Sequence, residues 1–159
     1  MAGSLRNVLL VLALATTLGG CESAGLSALT GEAASAPASG PSAPAITDLA
    51  KGKRQFRDRN FGLAEESFRA AVETRPDNVE GWLGLGAAYD ELRRFDLADR
   101  AYAQALKLTG PTAQLLNNRG YSHLLRGDYA AARRDLAAAR AKDPNNPQIQ
   151  RNIALLSER

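Results

Sequence analysis

The 159-residue sequence is poor in the residues that build most reactive centres, with one cysteine, one histidine, one tryptophan and one methionine, the initiator Met1. A lone cysteine, Cys21, excludes an intramolecular disulfide framework and any zinc site made of several thiolates. A lone histidine, His123, excludes His-rich metal centres. Charge of one sign is scarce as well. Twenty Lys and Arg against seventeen Asp and Glu leave +3, too little by itself to indicate a nucleic-acid partner. The length suits one domain of ordinary size, and the 45% of hydrophobic types would supply a core if they were evenly spread. They are not.

Arg6 is the only charged side chain before position 22, and an apolar run from Val8 to Ala15 follows it. A basic start, a short apolar segment and the small residues Gly19 and Gly20 describe a secretory signal over 1–20. The run is too short for a comfortable membrane span, which takes roughly 20 residues; an uncleaved N-terminal anchor is the alternative. Leu18-Gly19-Gly20-Cys21 resembles the lipobox of bacterial lipoproteins, in which the cysteine carries the lipid and begins the mature chain. That resemblance implies lipidation at Cys21, with more than one acyl chain giving stable anchoring. Glu22 stands where an aspartate would signal inner-membrane retention, so the resemblance implies the bacterial outer membrane, facing the periplasm. The membrane is then a partner through the lipid on Cys21.

From Cys21 to Pro44 the chain is mostly Ala, Ser, Gly and Pro, without aromatic residues or a periodic apolar pattern. Such a stretch cannot bury enough surface to offset its ordering entropy, and 21–44 is expected to be a disordered tether.

Beyond it the composition changes and an internal repeat emerges. Gly52, Gly86 and Gly120 are spaced 34 apart, as are Phe61, Phe95 and Tyr129, and Ala64, Ala98 and Ala132. The same step relates Phe68, Tyr102 and Leu136, and Ala71, Ala105 and Ala139. Each period carries two helical stretches, near 46–58 and 61–74, 79–92 and 95–108, 113–126 and 129–142. Gly86 and Ala98 recur where two helices must approach closely, with Tyr89 and Tyr102 filling the space around them. Gly127 suits a left-handed helix end, and Asp77-Asn78 and Asn145-Asn146 suit helix starts after a proline stop.

This period and these columns resemble the tetratricopeptide repeat (TPR), best in Trp82-Leu83-Gly84-Leu85-Gly86-Ala87-Ala88-Tyr89 with Ala98, Tyr102 and Ala105. The third copy departs at His123, in the column of Tyr89. The first departs more, with Asp48, Lys51 and Gln55 in the columns of Trp82, Leu85 and Tyr89. The resemblance implies an all-α fold, a solenoid of TPR helical hairpins over 45–159: repeats 45–78, 79–112 and 113–146, and a capping helix over 147–159. In that cap Ile153, Ala154 and Leu156 would cover the last hairpin while Gln150, Arg151 and Glu158 face water.

No constellation of catalytic residues accompanies this scaffold. His123 stands in a packing column and lacks a nucleophile motif around it, so it reads as structural. The carboxylates Glu65, Glu66, Asp90, Glu91, Asp96 and Asp99 read as mostly solvated. Gly84-x-Gly86 lies within a helix and lacks the rest of a nucleotide fingerprint. The expectation is no enzyme, metal, cofactor, nucleic acid or small-molecule substrate, but a binder of proteins.

A TPR stack binds along the concave surface of its first-of-pair helices. On that pattern the partner groove would include Lys53, Phe56 and Arg57, then Leu83, Ala87 and Asp90, then Asn117, Asn118 and Tyr121. Leu49, Glu80 and Gln114 fall on the same surface. Some TPR domains clamp a C-terminal carboxylate with Lys, Asn, Asn, Lys and Arg in chain order. Leu49, Lys53, Gly84, Gln114 and Asn118 stand at those places here and do not reproduce the set. A mixed apolar and amide groove fits an extended or helical peptide segment instead; equally, Asn117 and Asn118 could simply solvate it. Lys51, Lys53, Arg54, Arg57 and Arg59 form a basic cluster opposed by Asp58, either a solvated helix face or a contact with anionic lipid.

Phe61-Gly62-Leu63-Ala64-Glu65 and the run Leu116 to Tyr129, behind such a tether, resemble the TadD-type lipoproteins of tight-adherence (Tad/Flp) pilus assembly. The resemblance implies a scaffold that assists assembly or localisation of the secretion machinery, with a secretin or pilus-assembly components as partners. A lipoprotein regulator of a cell-wall synthase, or a general envelope-assembly adaptor, is the alternative.

Overall fold

The structure, a computed structural model, describes residues 43–159. The signal at 1–20, Cys21 and most of the expected tether lie outside the described residues. Among the described residues there are seven helices and no strand: α1 (Ala43–Arg57), α2 (Phe61–Thr74), α3 (Val79–Glu91), α4 (Phe95–Thr109), α5 (Ala113–Leu125), α6 (Tyr129–Lys142) and α7 (Pro147–Ser157). The tether was expected to run to 44, but α1 already begins at Ala43. Pro44 is no obstacle there, because the first turn of a helix has no use for its N–H.

Local sequence sets the helix starts. Asn78 accepts a bond from the Gly81 amide at 3.0 Å, Thr112 from Leu115 at 3.2 Å, and Asp128 from Ala131 at 3.0 Å. Asn146 accepts from Gln148 and Ile149, with Pro147 opening α7. Each cap satisfies an amide that would otherwise have no partner, a gain of about 1 kcal/mol. The turns inside the three hairpins share one device. Arg59, Arg93 and Gly127 are 34 apart and all left-handed, with φ of 61°, 60° and 82°. Gly127 adopts this without strain, whereas the two arginines do so against the clash of Cβ with backbone.

Consecutive helices pack as antiparallel hairpins, α1 with α2, α3 with α4 and α5 with α6; α7 then lies on α5 and α6. The first-of-pair helices α1, α3, α5 and α7 also touch in succession. Small residues allow the close approach. A Cβ on Gly52 would meet the Phe68 ring at 2.8 Å, one on Gly86 the Tyr102 ring at 2.5 Å, and one on Gly120 the Leu136 side chain at 2.7 Å. One column of large side chains thus seats on one column of glycines, three times over. Phe68, Tyr102 and Leu136 are all buried, each contributing about 1.5–3 kcal/mol by leaving water.

Two expectations about burial are corrected. Ile149 and Leu156, not Ala154, seal the last hairpin; Ala154 is exposed while Ile153 is half-buried. Nor is Glu65 solvated. It is buried, accepts from the Tyr89 hydroxyl at 3.1 Å, and pairs with Arg69 one turn on at 3.0 Å. No described helix is long and apolar enough to cross a membrane.

Candidate functional site: a concave groove across four helices

Two adjoining clefts of about 430 and 350 Å³ run along the surface made by α1, α3, α5 and α7. They share Phe56, Ala87, Gln114, Asn118 and Gln148, so they form one continuous groove. Lys53, Arg57, Leu83 and Phe68 line one end, and Tyr121, Asn117, Glu91, Arg151, Asn152 and Leu155 the other. Of the nine residues expected on the partner surface, Lys53, Phe56, Arg57, Leu83, Ala87, Asn117, Asn118 and Tyr121 line it. Asp90 does not.

Asp90 is only 1% exposed and points between helices. Its carboxylate accepts from the Tyr102 hydroxyl at 2.8 Å and from the Ser122 hydroxyl at 2.6 Å. Arg126 donates to the same Ser122 oxygen at 2.6 Å and forks onto Asp99 with two bonds of 2.9 Å. The guanidinium of Arg126 also lies 4.9 Å from the centre of the Phe95 ring. Burial pushes the Asp90 carboxyl up to about 6, against the downward pull of Ser122 and Tyr102. The residue expected to meet a partner instead ties α3, α4 and α5 together. Phe56 occupies the same column one repeat earlier, and its larger ring reaches the groove where the short aspartate side chain is drawn to its donors.

The groove itself carries little net charge. Lys53 bridges to Glu80 across α1 and α3 at 2.6 Å. Arg57 and Arg151 have no ion-pair partner among the described residues. Burial first, and Glu91 second, raise the Tyr121 phenol above its ordinary pKa. Carboxamides dominate the middle of the floor. Asn152 donates to Asn117 at 2.9 Å, fixing both orientations, while the carboxamides of Gln114, Asn118 and Gln148 make no hydrogen bond among the described residues. A carboxamide can bond a peptide unit through both its N–H and its oxygen, irrespective of the side chains that unit bears.

The α7 contribution was overlooked in the sequence, though its signal was present. Gln148, Arg151, Asn152 and Leu155 stand one 34-residue step beyond Gln114, Asn117, Asn118 and Tyr121. The capping helix is therefore also the fourth wall of the groove.

His123 lies away from the groove, in the α5–α6 hairpin, 3.8 Å from Asp135 and from Asp128. Burial holds its imidazole below the usual pKa, against the attraction of Asp135. Arg119 pairs with the same Asp135 at 3.1 Å. Among the described residues no cluster of three or more His, Cys, Asp or Glu is placed to hold a metal ion.

Comparison with known proteins agrees with this architecture. No curated protein matches the chain. Among solved structures, the TPR domain of Arabidopsis OM64 is similar at 18% identity and a TM-score of 0.65, over 72% of this chain and 95% of that one. The second TPR domain of human RPAP3, solved in complex with the HSP70 peptide SGPTIEEVD, matches at 20% identity and 0.64, over 76% of this chain and all of its own. Pseudomonas aeruginosa pilF matches at 23% identity and 0.63, over 72% of this chain and 53% of that one. At these identities the likeness is one of fold. The tetratricopeptide repeat family model matches residues 49–98 and 88–147, and with helices, columns and groove all in register the chain belongs to the tetratricopeptide repeat family.

Proposed function

We propose that this chain is a lipoprotein of the bacterial outer membrane, anchored through Cys21 and facing the periplasm. On this reading residues 1–20 are a cleaved signal and the stretch up to α1 a tether. The groove captures a segment of a protein partner. The observation that carries the binding role is the continuous groove, with its unpaired carboxamides between Arg57 at one end and Arg151 at the other. Lys53 is held by Glu80, and the basic and asparagine set of a C-terminal carboxylate clamp is missing. The groove therefore suits an extended or helical segment within a partner rather than a partner's C-terminal carboxylate. The partner we assign is a secretin or another component of a Tad/Flp pilus system, on the stretches that resemble the TadD-type lipoproteins. Anchoring raises the local concentration, so a modest groove affinity suffices.

In-cell photocrosslinking from Asn118 and Tyr121 tests this. Capture of a secretin or pilus-assembly component is expected. Capture of a cell-wall synthase would replace the pilus role, and capture of no protein from either position would remove the adaptor role itself. The anchor is tested apart from the groove: Cys21→Ser should abolish metabolic labelling by palmitate, and persistent labelling overturns it.

A further inference from the structure

Among the described residues no earlier repeat packs on the first helix, which leaves it an open side. In α1 that side is basic. The helix carries Lys51, Lys53, Arg54 and Arg57 against a single acid, Asp48. All four basic residues are exposed, while Asp48, Leu49, Gly52, Gln55 and Phe56 turn inward. Lys53 is neutralised by Glu80. Arg57 faces the groove, whereas Lys51 and Arg54 lie outside it with no ion-pair partner among the described residues, and Arg59 follows just beyond the helix. Of the exposed acids of the same hairpin, Glu66 and Glu73 sit on α2 and Asp58 in the turn. The other end of the stack is different: α7 bears one basic residue, Arg151, and presents amides. Solubility asks only that an end be polar, as α7 shows. A concentration of unpaired cations at the other end goes beyond that need.

We propose that the open face of α1 rests on an anionic phospholipid surface, setting the stack end-on with α7 farthest from the bilayer. Charge complementarity is the first argument. Lys51 and Arg54 are exposed and lie outside the groove, and long flexible cations on a convex rod suit a diffuse layer of phosphate headgroups. The second is reach. Residues 22–42, fully extended, span at most roughly 75 Å, and α1 is the helix to which they lead. This second argument, and with it the choice of lipid over an acidic protein surface, rests on the anchoring at Cys21 proposed above. A weak surface contact is enough when the chain is already held nearby.

The test uses the unlipidated chain 22–159, which keeps every described residue, in flotation with vesicles. Vesicles of phosphatidylethanolamine with roughly one quarter phosphatidylglycerol are compared with neutral phosphatidylcholine vesicles at about 0.05 M and about 0.5 M salt. Binding to the anionic vesicles at low salt is expected, with its loss at high salt and on neutral vesicles. Each basic residue near such a surface contributes about fivefold to binding, so Lys51→Gln with Arg54→Gln should weaken it roughly 25-fold. Melting by circular dichroism and crosslinking at Asn118 should not change, since neither residue touches the core or the groove. No binding to anionic vesicles, equal binding to neutral ones, or a double variant that binds like the parent overturns the proposal. So does capture of an acidic envelope protein through Lys51 and Arg54 without vesicle binding. Palmitate labelling and groove crosslinking depend on other residues, so failure of the anchor or of the groove reads out separately.

Discussion

The first and second hairpins both seat an aromatic ring against glycines, and the two rings live in different chemical surroundings. Phe68 packs on Gly52 and Gly84 in a cluster with Ala64, Val72, Leu85, Ala88 and Ala101. Tyr102 packs on Gly86 amid Leu83, Ala98, Ala105 and Leu115, but its hydroxyl reaches the buried Asp90, which Ser122 also bonds. One repeat step before Asp90 and Ser122 stand Phe56 and Ala88. The same slot is thus filled once by apolar burial and once by a polar network joining α3, α4 and α5. The repeat geometry fixes where a side chain goes and leaves its chemistry free. An apolar junction is indifferent to pH and its ring can tilt; a network built on an ionisable group is pH-dependent and holds its ring in place.

The largest test of that contrast is the titration of Asp90. Its carboxyl is raised from 3.8 to about 6 in the fold, so the native state takes up the proton before the unfolded chain does. The resulting stabilisation is fully present below the unfolded pKa and is lost as pH rises through about 6. Relative to Asp90→Asn, the parent should therefore gain about 2.4 kcal/mol between pH 7.5 and pH 4 in urea denaturation. A pH-independent difference between the two proteins would show that the buried carboxylate carries no such penalty.

Next comes the tether on the ring. In Gly86→Ala the new Cβ would meet a Tyr102 ring held by Asp90, and a loss of about 2 kcal/mol is expected. In Gly52→Ala the Phe68 ring has no hydroxyl to hold it and can yield, so the loss should be nearer 1 kcal/mol. Equal losses in the two melting curves would mean that packing alone, not the network, fixes both rings.

The smallest effect lies at the hairpin turns. Arg59 and Arg93 are both left-handed, but Arg93 also donates to the Leu125 carbonyl at 3.0 Å and stacks on Phe95 at 5.1 Å. Arg59 has the weaker compensation, with its guanidinium 5.8 Å from the centre of Phe61. Arg59→Gly should stabilise by about 0.5–1 kcal/mol, and Arg93→Gly should change little. A gain at 93 matching that at 59 would mean the bond to Leu125 contributes nothing.

The seven helices were legible because their causes are local: a period of 34, capping residues at the starts, and glycine at Gly127. The groove was legible almost as well, since the period carries a surface position from one repeat to the next. It failed where a side chain had a better offer. Asp90 falls in the column that brings Phe56 to the groove, but two hydroxyl donors claim its carboxylate. Gln148, Arg151, Asn152 and Leu155 went unnoticed because α7 was read as a cap, though one more step of the period reaches all four.

By itself the sequence determined the repeat, the helix starts, the glycine column on which the large side chains sit, and the basic character of α1. These rest on interactions within a turn or two of helix, or on the 34-residue step. Only the tertiary structure decided which polar residues are buried and which remain free to meet a partner. Asp90 and Ser122 are 32 positions apart and Glu65 and Tyr89 are 24 apart, and in each case burial became affordable only when packing brought donor to carboxylate. No local pattern encodes that meeting, because the energy of a buried charge is set by neighbours that only the assembled repeats supply.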